Sequence, residues 1–66
     1  MKIYIFAIMD KNKLIVQRAV NSHSQAISFI KICKDNGYLG RWEEYFYEFD
    51  LKTGEVQKLD VVLEVA

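Results

Sequence analysis

The segment KIYIFAIM, residues 2–9, decides the fold because it is apolar on both sides of an extended backbone. Successive side chains of a β-strand point to opposite faces of the sheet. The even positions here are Tyr4, Phe6 and Ile8, and the odd positions are Ile3, Ile5, Ala7 and Met9. Strands that are apolar on both faces are usually covered on both faces. The segment therefore predicts a strand in which each face needs a cover.

The next residues predict that this strand opens a hairpin. The segment DKNK, residues 10–13, has turn chemistry, and Asp10 and Asn12 both tolerate left-handed backbone geometry. It is followed by LIVQRAV, residues 14–20, which is rich in β-branched types. Two such runs around a short polar turn are typical of a β-hairpin.

A helix is predicted over about residues 23–36. Ser22 and Gln25 have the spacing of a capping box, in which side chains satisfy free backbone donors at the helix start. One apolar stripe follows at helical spacing, formed by Ala26, Phe29, Ile30 and Cys33. Asn36-Gly37 predicts the end, since glycine adopts the left-handed conformation without steric cost.

Two more strands complete the chain. RWEEYFYEFD, residues 41–50, is the third, and EVQKLDVVLE, residues 55–64, is the fourth, with Gly54 in the turn between them. The order is ββαββ. We therefore predict one α+β domain, residues 1–66, in which a four-stranded sheet carries one helix on a single face.

The residue types for most catalytic and metal chemistry are missing. The chain has one His and one Cys, too few for a structural zinc site, and no glycine-rich phosphate loop precedes a helix. Cys33 belongs to the apolar stripe, where a thiol is inert. Carboxylates on strand three have no evident pocket. The sequence predicts a protein that is not an enzyme and needs no metal or cofactor.

The sequence also predicts a cytoplasmic protein without a membrane segment. A single cysteine forms no intrachain disulfide, which fits a reducing compartment. The apolar run near the start is followed by a charged turn, whereas a signal peptide has a small-residue cleavage site. A membrane span needs about 20 apolar residues, more than this run has.

Charge is unevenly distributed although the formal net charge is zero. Residues 1–34 hold six basic residues and one acid, a net of +5, and residues 35–66 hold three basic residues and eight acids, a net of −5. Such asymmetry indicates either a charged partner or a head-to-tail self-contact. The simpler interpretation is that the halves interleave in one sheet and neutralise each other locally.

The stretch DNGYLGRW, Asp35 to Trp42, resembles the immunoglobulin-binding domains of streptococcal protein G, a small β-grasp fold. The shared features are the D-N-G, the later glycine, the tryptophan at that spacing, and a helix phenylalanine at Phe29. The resemblance implies a mixed sheet whose two inner strands are central and parallel beneath one helix. It does not extend to antibody binding, because only Trp42 matches among the contact positions, which here hold Ala26, Ile27, Ile30, Lys31, Lys34, Leu39 and Arg41.

One helix covers one sheet face, so the aromatic residues of RWEEYFYEFD divide between a core and an uncovered surface. If Trp42 packs under the helix, then Tyr45, Tyr47 and Phe49 reach the same face only through a bulge at Glu43-Glu44. Without a bulge, Trp42 and Phe46 lie on the uncovered face beside Tyr4 and Phe6. Either arrangement leaves large aromatic side chains uncovered. The alternative is that exposed Tyr and Trp simply tolerate water.

The predicted function is a non-catalytic protein-interaction module, a small intracellular regulator or inhibitor that acts through the uncovered face. The partner is a target protein or a second copy in a homodimer. A phage or mobile-element accessory protein has this format. The predicted binding residues are apolar anchors with an acidic rim: Tyr4, Phe6, Ile8, Trp42, Phe46, Glu44 and Glu48.

The alternative prediction is a regulator associated with nucleic acid. Its basic patch on the hairpin and helix is formed by Lys11, Lys13, Arg18, Lys31 and Lys34. Basic residues neutralise phosphates, but the aromatic strand is acidic and repels them. Mimicry of a phosphate backbone by that strand's carboxylates is a further possibility.

Overall fold

The computed structural model describes residues 1–59, and these residues form the predicted ββαββ arrangement. The strands are β1 (Lys2–Asp10), β2 (Lys13–Val20), β3 (Glu43–Asp50) and β4 (Val56–Lys58), and the helix is α1 (His23–Asp35). The α+β fold with one helix and a four-stranded sheet is confirmed. The part of the predicted fourth strand beyond Leu59 lies outside the described residues. No helix within residues 1–59 is long and apolar enough to cross a membrane.

The sheet order is β2-β1-β3-β4, and every neighbouring pair is antiparallel. The mixed sheet implied by the resemblance to protein G is therefore wrong: β1 pairs with β3, and no parallel pair occurs among the described strands. Both β1 and β3 are long and have apolar residues of both parities, and they are the two central strands, each with a neighbouring strand on both sides. The described part of β4 has three exposed residues and lies at the edge.

The helix α1 is the crossover connection between β2 and β3, on one face of the sheet. Since β2 and β3 both run antiparallel to β1 and flank it, α1 connects two strands that are separated by β1. The ring of His23 lies 6.0 Å from the ring of Tyr4, and Phe29 lies 5.1 Å from Phe6. The helix therefore runs along β1 from its Tyr4 end toward the β1–β2 turn, which places its apolar stripe over the central strand.

The residues predicted to cap α1 lie at its ends, and of the capping box the bond to the Ser22 side chain is present. The Ser22 hydroxyl accepts a hydrogen bond from the Gln25 backbone N–H at 3.2 Å. At the other end the Gly37 N–H donates to the Lys34 carbonyl and the Tyr38 N–H donates to the Cys33 carbonyl. This is the Schellman pattern, and it requires a left-handed residue after the cap, which Gly37 provides with φ of +73°.

The core lies between α1 and one face of the sheet. Its buried members are Tyr4, Phe6, Ile8 and Phe46 from the strands and Ala26, Ile30 and Cys33 from the helix. The rings of Phe6 and Phe46 meet edge to face across β1 and β3, with centroids 5.0 Å apart. The predicted apolar stripe of the helix is thus the surface that contacts the sheet.

Candidate protein-binding face

Most of the apolar residues predicted to bind a partner lie in the core instead. Tyr4 is 6% exposed, Phe6 and Ile8 are 0% exposed, and Phe46 is 1% exposed, all beneath α1. The assignment of these residues to the uncovered face is wrong. The reason is that the even positions of β1 and β3 pair directly, as in Phe6 with Phe46, and the helix covers this side of both strands.

Trp42 also lies on the helix side of the sheet. It packs against the core from the segment before β3, with its ring 5.8 Å from Tyr38. The Arg41 guanidinium lies 4.7 Å from the Trp42 ring centre, within the range of a cation–π contact. Trp42 therefore helps to close the core and does not contribute to the uncovered face.

The two predicted rim carboxylates, Glu44 and Glu48, belong to the helix side as well. Glu44 pairs with Ile8, and its carboxylate accepts a hydrogen bond of 2.7 Å from the Gly40 backbone N–H. Glu48 lies 3.0 Å from the Lys2 ammonium, and this hydrogen bond and charge raise the pKa of Lys2. Because a single helix is narrow, Glu44 and Glu48, which lie on either side of Phe46 on β3, still reach solvent beside α1.

No bulge occurs at Glu43-Glu44, because β1 and β3 pair without a shift from Lys2–Asp50 to Met9–Glu43. The irregularity falls in the first hairpin, where Ile8 pairs with Val16 and Met9 with Leu14, leaving Ile15 as the extra residue. Such a bulge lets consecutive residues point to the same side. Both Ile15 and Val16 pack against the core as a result.

The sheet surface opposite α1 is called the open face here. Its members are the odd positions of β1 and the residues that share their face by register: Ile3, Ile5, Ala7, Met9, Leu14, Gln17, Ala19, Glu43, Tyr45, Tyr47, Phe49, Val56 and Lys58. No element formed by residues 1–59 packs over it. The exposed fractions of Ile5 (41%), Leu14 (48%), Tyr45 (40%) and Val56 (57%) are large for apolar side chains.

The centre of the open face is a set of cross-strand pairs. Ile3 lies opposite Phe49, Ile5 opposite Tyr47, and Ala7 opposite Tyr45. Directly opposed side chains on one face are in contact range and shield each other. This explains why Tyr47 and Phe49 are half-buried although no described element covers them. The surface is therefore ordered by its own packing.

The open face has one charge of each sign in the described strands. Glu43 lies at the start of β3 and accepts a hydrogen bond from the Tyr45 hydroxyl at 2.5 Å. This bond and the nearby negative charge raise the pKa of Tyr45. Lys58 lies on β4 opposite Tyr47. The result is an apolar surface with a carboxylate and an ammonium at different points of its periphery.

The five residues of the predicted basic patch lie on three elements, away from the open face. Lys11 forms the first turn with a φ of +56°, in place of Asp10 or Asn12. The Arg18 guanidinium lies 5.9 Å from the ring of Phe29 on the helix side. Lys13 begins β2, and Lys31 and Lys34 are exposed on α1. A role for these residues in nucleic-acid binding stays a prediction.

A solvent-open cleft separates α1 from β2. Its polar lining includes Arg18, Asn21, Ser24, Gln25 and Ser28. Within residues 1–59, no group of three or more His, Cys, Asp and Glu side chains is arranged to hold a metal ion. The cleft also has apolar lining residues, among them Val20, Phe29 and Ile32, so its lining is mixed, whereas the open face is an apolar sheet surface.

The sequence contained a signal for the open face that the residue-by-residue prediction missed. Tyr45, Tyr47 and Phe49 form an uninterrupted row on one side of β3, whereas the other side alternates Glu44, Phe46 and Glu48. A single helix buries the middle residue on its side of a strand and leaves the residues on either side near water. This matches the order Glu44, Phe46, Glu48. The unbroken aromatic row therefore belongs to the side without a helix.

Comparisons with known proteins do not add a relationship to this geometry. No protein-family model matches the chain, and searches of the curated proteins and of the solved structures found no match either.

Proposed function

We propose that this protein is a non-catalytic binding module of the cytoplasm that acts by docking its open face onto a protein partner. The proposal rests mainly on one observation: a row of large apolar side chains lies on the sheet face opposite the helix, and Ile5, Tyr45 and Val56 are exposed by 40% or more. Its activity would be steric, as in a small regulator or inhibitor.

The size of the surface supports this role. The four strands contain 28 described residues. At ~3.3 Å per residue and ~4.8 Å between strands, their face has a flat area of roughly 450 Å². Apolar patches of a few hundred Å² on soluble proteins often mark interaction sites. Burial of apolar area contributes about 25 cal/mol per Å², so a partner of matching shape gains substantially from covering it.

The composition of the open face also fits protein recognition. Tyr45, Tyr47 and Phe49 supply aromatic anchors, which are enriched in the central parts of interfaces. Glu43 and Lys58 provide polar groups at the periphery. Since neighbouring strands hold the anchors in a regular sheet, little conformational entropy is lost when a partner binds. Tyrosine hydroxyls keep such a surface compatible with water before binding.

Substitution of Ile5 by Glu tests the proposal. Ile5→Glu places a charge at the centre of the open face, and we expect at least a tenfold loss of partner capture from the native host, with an unchanged far-ultraviolet circular dichroism spectrum. The control is Ile32→Glu, because Ile32 is 55% exposed on α1 and lies off the open face. Equal capture by Ile5→Glu and wild type would contradict the proposal.

A further inference from the structure

We infer that the partner of the open face is a second copy of this chain, related to the first by a two-fold axis with the two sheets face to face. This inference rests on the proposed function. Its basis is that the face is complementary to itself in charge: it carries Glu43 and Lys58, one acid and one base, around an apolar centre.

The positions of the two charges suit a two-fold contact. Lys58 is opposite Tyr47, four residues along β3 from Glu43, so the two charges are separated by ~13 Å along the strand direction. In a two-fold interface, a contact of residue i with residue j of the partner is always formed twice. A single orientation that places Glu43 opposite the partner's Lys58 therefore forms two ion pairs around the buried aromatic side chains.

A partner with a strong charge of one sign fits this surface less well. The face presents neither a basic nor an acidic field, since its described charges cancel. The chain as a whole has a formal net charge of zero, so two copies approach without long-range repulsion. These features favour a second copy over a strongly acidic or basic protein.

Pairing by edges is disfavoured at β2. Edge strands that carry charged side chains and bulges resist pairing with another sheet. β2 has Lys13 and Arg18 along its length and the bulge at Ile15 within it. This feature of β2 favours a contact between the faces of the two copies over a contact through this edge.

The area of the face predicts a weak, reversible dimer. Two faces of roughly 450 Å² bury about 900 Å² of flat area, near the ~1,000 Å² at which specific interfaces begin. Interfaces of standard size, about 1,600 Å², have dissociation constants from picomolar to micromolar. We therefore expect a dissociation constant of about 1 µM or weaker, so the monomer and the dimer both occur in the micromolar range.

Sedimentation equilibrium of charge-reversal variants tests the inference. Glu43→Lys and Lys58→Glu each replace two attractive pairs by two repulsive pairs, and we expect each variant alone to dimerise about tenfold more weakly than the wild type. An equimolar mixture of the two variants restores both pairs, because one copy then has two bases and the other has two acids. The mixture should dimerise at least as tightly as the wild type and should weaken as salt increases.

Matched control variants carry the same charge changes off the face. Lys31→Glu is on the exposed surface of α1, and Glu55→Lys is in the turn before β4. Neither should change dimerisation, and their mixture should behave like each variant alone. Circular dichroism of every variant establishes that it is folded. Glu43→Gln and Lys58→Gln provide a milder pair, for which a smaller loss is expected.

The outcomes separate this inference from the proposed function. A wild-type monomer at every concentration, with host-protein capture lost in Ile5→Glu, overturns the second copy and leaves the proposed function standing. A monomer whose Ile5→Glu variant captures host protein normally overturns both. Dimerisation unchanged by either charge reversal overturns the two-fold arrangement.

Discussion

The two faces of the sheet use similar residues for different purposes. Ile5 and Phe6 are neighbours in β1, yet Ile5 is 41% exposed and Phe6 is 0% exposed. On the helix side the aromatic side chains are enclosed by Ile30 and Cys33. On the open face the aromatic side chains lie opposite residues of β1, and no described helix covers them. The comparison shows that an aromatic residue in a strand is not necessarily buried within its own chain. Its burial depends on whether another element covers its side of the sheet.

The largest expected effect is a contrast between the two neighbours. Phe6→Ala removes a ring that contacts Phe29 and Phe46, and we expect a loss of about 3–5 kcal/mol in the free energy of unfolding. Ile5→Ala removes a partly exposed side chain, and a loss below about 1 kcal/mol is expected. Urea unfolding followed by circular dichroism measures both. Similar losses for the two variants would mean that the open face is covered in solution.

An intermediate effect is expected at the C-terminal end of α1, the helix that covers one face of the sheet. Gly37 has a φ of +73°, and a Cβ at this position meets no atom within 4 Å. The cost of Gly37→Ala is therefore conformational, about 1–2 kcal/mol in the free energy of unfolding. The control is Ser28→Ala on the exposed part of α1, where a change within about 0.5 kcal/mol is expected. A neutral Gly37→Ala would argue against the Schellman ending.

The smallest expected effect concerns the thiol under the helix. Burial, with a smaller contribution from the Glu44 carboxylate, raises the pKa of Cys33 above its ordinary value of 9.0. The folded state therefore holds this proton more tightly than the unfolded state, so its contribution to stability is complete below that value. It is lost as pH rises through the folded-state pKa. Urea unfolding at pH 7 and pH 10 should show a slightly steeper loss for wild type than for Cys33→Ala.

Reaction of Cys33 with a thiol reagent provides a direct check of the same enclosure. Because the side chain is 1% exposed, modification should require opening of the structure and should accelerate sharply near the urea midpoint. Rapid modification of the native protein would show that the helix does not cover this side of the sheet as described.

Local features of the chain were predictable because their causes lie within a few residues. The Ser22 cap, the helix stripe and the Gly37 ending are short-range signals, and the structure confirms each of them. The order of elements and the α+β fold follow from the same signals. The excess of apolar residues on β1 also indicated that one helix would leave part of the sheet uncovered.

The assignment of residues to the open face was not predictable in this way. Tyr4 and Ile5 could each lie on either face of the sheet. A shift of one residue moves every side chain of the strand to the opposite face. A bulge at Glu43-Glu44, one of the two arrangements that the sequence left open, would have moved Tyr45, Tyr47 and Phe49 to the helix side. The observed bulge at Ile15 instead affects the first hairpin and leaves β3 regular.

The sequence alone determined which segments become strands and helix, where the helix begins and ends, and that β1 is apolar on both sides. Only the tertiary structure decided that β1 pairs with β3, that Phe6 and Phe46 face the helix, and that the tyrosine row faces outward. The physical reason is the separation along the chain of the residues that interact. Caps and periodicity act between neighbours in the chain, whereas strand order and facing depend on contacts between distant segments, in which several arrangements satisfy the same local pattern.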